Sequence, residues 1–355
     1  MRKLVSGLLA ASLMAVGLVG CGGGQQTSGT PAKEGSQATA PAPADQQRII
    51  RAGIGLNDQH PQYKGLLNFK EIVEAETNGA IKVETYHSGQ LGDDRTMMEA
   101  LQLGTQEMTI PSTAPIANFV SDFSVYDIPF LFSSEEVADK VLLESEISQQ
   151  LLDKLPAQGL IGLTYWENGF RNLTNSKRAV GAVADFKDLK IRTMENQLHL
   201  ASFRALGANP TPMAFSELFT AMQQGTVDGQ ENPIATIYLQ KFYEVQGHVS
   251  LTKHIYSPFV VLISKKFWDE STPEQQQILK KAAEEAGQLE RQLNREANEK
   301  YLEELKKGGM TVTEISPEAR EEMEALIAPV VDQFAERIGK DTVEKVRAAV
   351  QEASK

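Results

Sequence analysis

The sequence predicts an α/β protein, and its 355 residues suffice for two lobes, each with a core of its own. Two patterns carry this expectation. Between residues 49 and 111, short alternating segments take turns with helical ones, a βαβαβ rhythm that implies a parallel sheet with helices on its faces. After a polar loop the same alternation returns over residues 189–233, which provides a second α/β half.

The chain opens with Arg2 and Lys3, an apolar run from Leu4 to Val19, and Leu18-Val-Gly-Cys21. This reads as a secretory signal over residues 1–20 ending in a lipobox, because the run falls short of the ~20 residues that span a bilayer. Cys21 is the only cysteine. It is expected to head the mature chain and carry lipid, which leaves no disulfide possible. Ordinary signal cleavage beside a free thiol is the alternative. Residues 21–47 are Gly, Gln, Ser, Thr, Pro and Ala in low-complexity order, too poor in apolar residues to fold. They read as a tether spanning ~30 Å on average.

The first half begins with a strand, Ile49 to Leu56, and a polar turn, Asn57 to Pro61. A helix follows to Thr77 on Leu66, Phe69, Ile72 and Val73, stopped by Asn78-Gly79. Ile81 to Tyr86 alternates as a strand. Residues 88–95 turn into a helix on Met97, Met98 and Leu101, ended by Gly104, and Glu107 to Pro111 is the next strand. Phe119 to Phe132 is an aromatic-rich loop that reads as core packing. A helix from Ser134 to about Leu155 and a strand from Leu160 to Trp166 close this half, with Trp166 near the boundary between halves. In the second half, Leu189, Ile191 and Thr193 alternate with Lys190 and Arg192 as a strand. An amphipathic helix follows, then a rigid turn at 209–212, a helix from about Ser216 to Gln224, and a polar turn at 227–233 closed by Pro233. Ser257 to Ser264 is a wholly apolar-patterned strand, buried on both faces. A helix of about 35 residues runs from Thr272 to about Lys307, longer than most globular helices. Met310 to Lys355 holds a strand and two helices.

The charge narrows the partners. The chain has 35 Lys and Arg against 47 Asp and Glu; losing Arg2 and Lys3 with the signal takes its net charge from −12 to −14. This argues against nucleic acid and against a polybasic grip on lipid. Catalytic patterns are missing too: no G-x-S-x-G, H-E-x-x-H, C-x-x-C or glycine-rich phosphate loop occurs. Ser250-Leu-Thr-Lys253 is an S-x-x-K without its companion motifs. The five histidines (His60, His87, His199, His248, His254) lack metal-ligand spacing, although His248 and His254 could meet in a folded loop. Asp93-Asp94 reads as a helix start or one ligand contact rather than an acid/base pair. No metal or cofactor is implied. Arg192 is the exception to an otherwise bland surface. An arginine at the carboxyl end of a strand, before a helix N-terminus, suits an anion, although a surface ion pair is the alternative.

Residues 190–193 (KIRT), 207–233 (GANPTPMAFSELFTAMQQGTVDGQENP) and 241–246 (KFYEVQ) carry a more specific message. This block resembles the DctP-type solute-binding proteins of TRAP (tripartite ATP-independent periplasmic) transporters, and the likeness covers roughly residues 48–345. The resemblance implies a two-lobed periplasmic-binding-protein-like fold with a hinge, and a long helix spanning both lobes as a spine. Residues 48–168 plus 257–297 would form lobe I, and 169–256 plus 298–355 lobe II. Arg192 matches the family's principal arginine for the solute carboxylate, Arg171 the second arginine, with Arg178 a solvated loop charge, and Asn232 the amide beside them. Phe215 matches an aromatic that packs on the ligand. Asp94 and Ser112 sit where lobe I reaches the far end of the solute, with Asn57 and His60 as additions from the first strand's exit. Ser112 and Pro115 stand where sialic-acid members carry an acid and an arginine, so a smaller hydroxy acid, sugar acid or C4-dicarboxylate is implied. Only one strong carboxylate site is visible, which leans toward a monocarboxylate with hydroxyls at its other end. The implied protein is a monomeric, non-enzymatic receptor, lipid-anchored in the envelope and facing the periplasm or exterior. It would bind a small organic-acid anion and hand it to TRAP membrane subunits. An envelope hydrolase or a structural lipoprotein is the rival.

Overall fold

The computed structural model describes residues 47–355; the signal, Cys21 and all of the tether except Gln47 lie outside them. In chain order the elements are β1 (Arg48–Gly53), α1 (Pro61–Glu76), β2 (Ile81–Tyr86), α2 (Asp94–Leu103), β3 (Met108–Thr109), α3 (Thr113–Ile116), α4 (Glu135–Asp139) and α5 (Glu146–Leu152). Then come β4 (Leu160–Asn175), β5 (Lys190–Thr193), α6 (Gln197–Ala205), β6 (Asn209–Pro212), α7 (Leu218–Gln223), β7 (Gly229–Asn232), α8 (Ile234–Leu239) and β8 (His248–Ser264). The chain ends with α9 (Lys265–Asp269), α10 (Pro273–Lys307), β9 (Thr311–Glu314), α11 (Pro317–Ile338) and α12 (Lys340–Ala353).

The strands form one sheet in the order β2-β1-β3-β8-β4-β7-β5-β6, with β9 beside β8. β1 runs parallel to β2 and β3, and β5 runs parallel to β6 and β7, so each half has the parallel sheet its rhythm predicted. Two long antiparallel strands join the halves, β4 of 16 residues and β8 of 17. Their ladder slips register three times, between Gly162 and Thr164, Glu167 and Gly169, and Arg171 and Leu173. Bulges of this kind bend and twist a strand pair. At the middle slip Gly169 holds φ +104, a conformation that requires glycine, while Pro258 faces Glu167 across the ladder. The two-lobed architecture rests on this bent ribbon.

Several elements differ from expectation for tertiary reasons. Residues 209–212 are not a turn but edge strand β6, where prolines are tolerated because no neighbour needs their missing N–H. Residues 229–232 are not a polar turn but β7, buried throughout between β4 and β5. The helix expected from Ser134 to Leu155 breaks into α4, a wide π turn over 140–144, α5 and a 3₁₀ turn over 155–158, because Ser145 turns extended. The strand ending at Trp166 instead continues to Asn175.

Packing of the described residues yields three cores. One lies under α1 and β1–β3, with Trp166, Phe259 and the start of α10. A second surrounds α7 and α8 with Leu305 and Met310. The largest joins the aromatic segment at Phe123, Tyr126 and Phe132 to Leu198 and Phe203 of α6 and to α11 and α12. Helix α10 runs from the first core to the second, as a spine should. Thr272 and Gln275 make its capping box, with Pro273 at the first turn. Small residues Ala282, Ala283, Ala286 and Gly287 then let the helix lie close against β4. Trp166 is wedged there, fully buried, its Nε1 donating to Ala283 O at 2.8 Å. Its ring therefore belongs to the interior of one core, although the register slip begins one residue later.

This wedge is testable. A Cβ on Gly287 would stand 2.7 Å from the indole, which its own hydrogen bond holds in place. Overpacking costs about 1–3 kcal/mol, against about 1 kcal/mol gained in helix propensity. Gly287→Ala is expected to lower the urea midpoint, and an unchanged or higher midpoint would show that the contact has slack.

Candidate ligand-binding site

The slips in β4 set the site, because they bring Asn168 and Arg171 to the ends of β5 and β7 and to the loops after β1 and β3. These enclose a cavity of about 70 Å³, counted as space open to the centre of a water, where one water needs roughly 10–15 Å³. Asp94, Ser112, Arg171, Arg192, Phe215 and Asn232 all line it, joined by Gln62, Asn168, Met194, Glu195 and Phe259.

Arg192 is almost wholly buried on β5. Its Nε and Nη2 both donate to Met213 O, at 2.9 and 2.7 Å, and Nη1 has no partner. Burial pulls its pKa down to about 10, opposed by the field of Glu231, so it remains a cation at neutral pH. Among the described residues no carboxylate forms an ion pair with it. Arg171 differs. Its guanidinium grips the Glu231 carboxylate through Nε and through Nη2, the latter at 2.9 Å to Oε1, and Nη2 also reaches Glu231 O. Both side chains are buried. Burial pushes Glu231 up, yet the Arg171 charge and the hydrogen bonds from His254 and Arg171 outweigh it, holding the carboxyl well below its usual range. His254 Nε2 lies 3.2 Å from Glu231, and Nδ1 meets Thr252 Oγ1 at 2.8 Å. Burial holds this imidazole below its ordinary value, which keeps it neutral. One arginine is thus matched and one is not.

The other residues take distinct places. Phe215 stands with its ring centre 5.9 Å from the Arg192 guanidinium carbon. Asn232 is buried with its amide donating to Gln230 Oε1. The two adjacent carboxylates divide their work. Asp93 caps α2 by accepting from Thr96 N at 3.0 Å, whereas half-buried Asp94 accepts from Ser112 N at 3.4 Å and faces the cavity. Desolvation raises the Asp94 pKa to about 6, with the Asp93 charge adding and Ser112 N–H and Arg192 opposing. Across the mouth Arg95 meets Glu195 at 3.5 Å, and Asn118 Nδ2 donates to Glu195 O at 2.8 Å.

Two expected residues fall elsewhere. His60 is fully buried and caps α1, its Nδ1 accepting from Gln62 N at 3.1 Å and its Nε2 3.2 Å from Thr236 Oγ1. Burial pulls it down to about 3, so it is neutral. Asn57 Nδ2 donates to Leu239 O at 2.8 Å. Both tie the entrance of α1 to α8 instead of lining the cavity, because the chain turns into α1 there. At the N-terminus of α6 the side chain of Asn196 already takes the N–H groups that an anion would use. Asn196 caps Leu198 N and His199 N, and its amide donates to Asp127 Oδ2 at 3.2 Å. Gln62 and Asn168 had no sequence signal beyond their polarity. Glu231 was visible only as part of a polar run. Ser250 is a buried acceptor for Val180 N, and no cluster suited to a metal exists among the described residues.

With this geometry in place, comparison with known proteins is decisive. The model of the DctP family, bacterial extracellular solute-binding protein family 7, matches residues 52–337. The chain belongs to this family. It is 40% identical over 294 residues to the C4-dicarboxylate-binding periplasmic protein DctP of Rhodobacter capsulatus, covering 82% of this chain and 88% of the relative. It resembles the crystal structure of a sugar acid binding protein from Advenella mimigardefordensis in complex with galactonate, with TM-score 0.85 and 45% identity, over 87% of this chain and 100% of that one. A TRAP periplasmic solute binding protein from Polaromonas bound to D-erythronate matches with TM-score 0.82 and 41% identity, over 85% and 98%. In this family member the partly desolvated carboxyl of Asp94 leaves a signature in stability. A folded-state pKa raised from 3.8 to about 6 means that folding holds the proton. Its contribution is present in full below the unfolded value and is lost as pH rises through about 6. Asp94→Asn, which mimics the protonated form, is expected to melt above wild type at pH 7.5, with the gap closing as pH falls below about 4. Melting curves without ligand check this, and a gap that does not change with pH would count against a desolvated carboxyl.

Proposed function

We propose that the protein is the extracytoplasmic solute receptor of a TRAP transporter, binding a small organic acid between its lobes for delivery to the membrane subunits. The observation that carries the reading is Arg192, a buried cation without an ion pair among the described residues, lining a cavity beside a second arginine already neutralised by Glu231. A buried charge is costly unless paired, so this one suits an arriving carboxylate. In this reading Arg192 is the main anchor, Arg171 Nη1 and Asn232 assist, Phe215 packs on the solute, and Asp94 and Ser112 meet its far end. C4-dicarboxylates, hydroxy acids and sugar acids are the candidate solutes, in keeping with what the relatives bind. The convergence of Arg171, Arg192 and Asn232 favours a binder over a structural lipoprotein, and a binder needs no catalytic group.

The mechanism we infer is hinge closure about the bent β4–β8 ribbon. Residues 48–168 plus 257–297 move as lobe I and 169–256 plus 298–355 as lobe II, and the solute stabilises the closed form by bridging them. The receptor acts as a monomer, held to the envelope by lipid on Cys21 and otherwise facing the periplasm or exterior. Mass spectrometry of protein from a bacterial host that processes lipoproteins is expected to show acyl groups on a chain beginning at Cys21; a different N-terminus with a free thiol would refute the anchor.

The central test removes the anchor. A melting-temperature screen against organic acids identifies the best solute, which calorimetry then titrates into Arg192→Ala. Truncating one partner of a buried charge pair costs ~2–5 kcal/mol, or roughly 30- to several-thousand-fold in affinity. A loss under about threefold would remove Arg192 from the role.

A further inference from the structure

We propose that the cavity has an acceptor end, formed by Gln62, Asn168 and Asp94, that selects a polyhydroxylated monocarboxylate and turns away C4-dicarboxylates. The proposal rests on the receptor reading and names its substrate class. Both amides are oriented by their neighbours. Gln62 Nε2 donates to Ile110 O at 2.8 Å, which leaves Oε1 without a partner. Asn168 Nδ2 donates to Ser112 Oγ at 3.3 Å, which leaves Oδ1 without one. All three residues line the same cavity as the arginines, whose unpartnered atoms are both donors, Arg171 Nη1 and Arg192 Nη1. The unmet hydrogen-bonding capacity of the cavity is therefore sorted by sign: donors on the guanidinium groups, acceptors on the amides and Asp94.

A buried polar atom left unpartnered is costly, so the favoured solute is the one that satisfies both kinds. A carboxylate has only acceptors and fits the guanidinium donors. The acceptor atoms need hydrogens, and hydroxyl groups supply them. A second carboxylate supplies none and would lie against Asp94. Charge leads to the same answer. Among the described residues Arg171 is matched by Glu231, Arg192 forms no ion pair, and Asp94 already adds a negative charge to the same cavity, so one carboxylate has a cation to meet and a second has none. A site built to bond a hydroxyl rejects analogues that lack it more strongly than an apolar pocket rejects a missing methylene.

Calorimetry at pH 7.5 tests this with D-erythronate and D-galactonate against succinate and butyrate. At least one of the two hydroxy acids is expected to bind ten times more tightly than both controls. Asp94→Asn is expected to narrow the preference for hydroxy acid over succinate at least fivefold, and Gln62→Leu to weaken the hydroxy acid at least tenfold. Should Gln62→Leu fail to fold, the wild-type ratio and the near-isosteric Asp94→Asn still decide. Succinate binding as tightly as the hydroxy acids, or a ratio unmoved by Asp94→Asn, overturns the acceptor end while leaving the receptor reading intact. If none of the four acids binds wild type, the acceptor end is overturned, while the receptor reading falls only if the wider melting-temperature screen of organic acids also finds no ligand.

Discussion

The buried pair between Arg171 and Glu231 is the interaction on which the site depends. It clamps β4 to β7 through both a carboxylate and a backbone carbonyl, and His254 extends it to β8. Three neighbouring strands thus share one polar anchor beneath the cavity. Breaking such a pair by removing one partner strands the other charge, at a cost of about 3–5 kcal/mol. Its electrostatic effect matters as much as its mechanical one. With Glu231 matched to Arg171, the positive field of the cavity comes from Arg192. Against a net charge of −12, this local, desolvated cation is the group in the cavity suited to an anion.

A second polar zone lies where α10 crosses the bend. Glu167 is buried on β4 and accepts from Arg295 at 2.7 Å and from Tyr256 at 3.0 Å. Glu290 on α10 accepts from Glu167 N at 3.0 Å, while Asn294 donates to Glu167 O and Asn168 O. Burial, with the charge of Glu167 adding, pushes the Glu290 carboxyl well above its usual range. The slipped ladder at 167–169 loses regular strand partners, and these side chains take up the backbone groups so exposed. Asn168, which lines the site, is held between this zone and Ser112.

Much of the site was legible because it sits in one specific block of sequence. Arg192, Phe215 and Asn232 could be placed from residues 190–233 before any coordinates, and all three line the cavity. Asn57 and His60 could not be judged in this way. They stand at the exit of the first strand, where ligands often sit, but the direction of a side chain at a helix entrance depends on what packs against it. Here α8 supplies Thr236 and Leu239 O, and the two residues turn there. Gln62 was invisible for the opposite reason: one buried glutamine on an amphipathic helix looks like any other until Ile110 O is found to hold its amide.

Local pattern determined the alternation of strands and helices, the capped start of the long helix at Thr272, and the apolar strand at 257–264. Each depends on periodicity or on a few neighbouring residues. The sequence determined the family as well, through a long block whose spacing is hard to match by chance. Tertiary structure alone decided that residues 209–212 and 229–232 are strands, since only a neighbouring edge gives such short polar or proline-rich segments their hydrogen bonds. It also decided which arginine is neutralised. Arg171 and Glu231 lie 60 residues apart, and nothing local to either pairs them. The β4–β7 register does so, because it sets Leu173 opposite Glu231 and brings the Arg171 guanidinium within reach of the carboxylate.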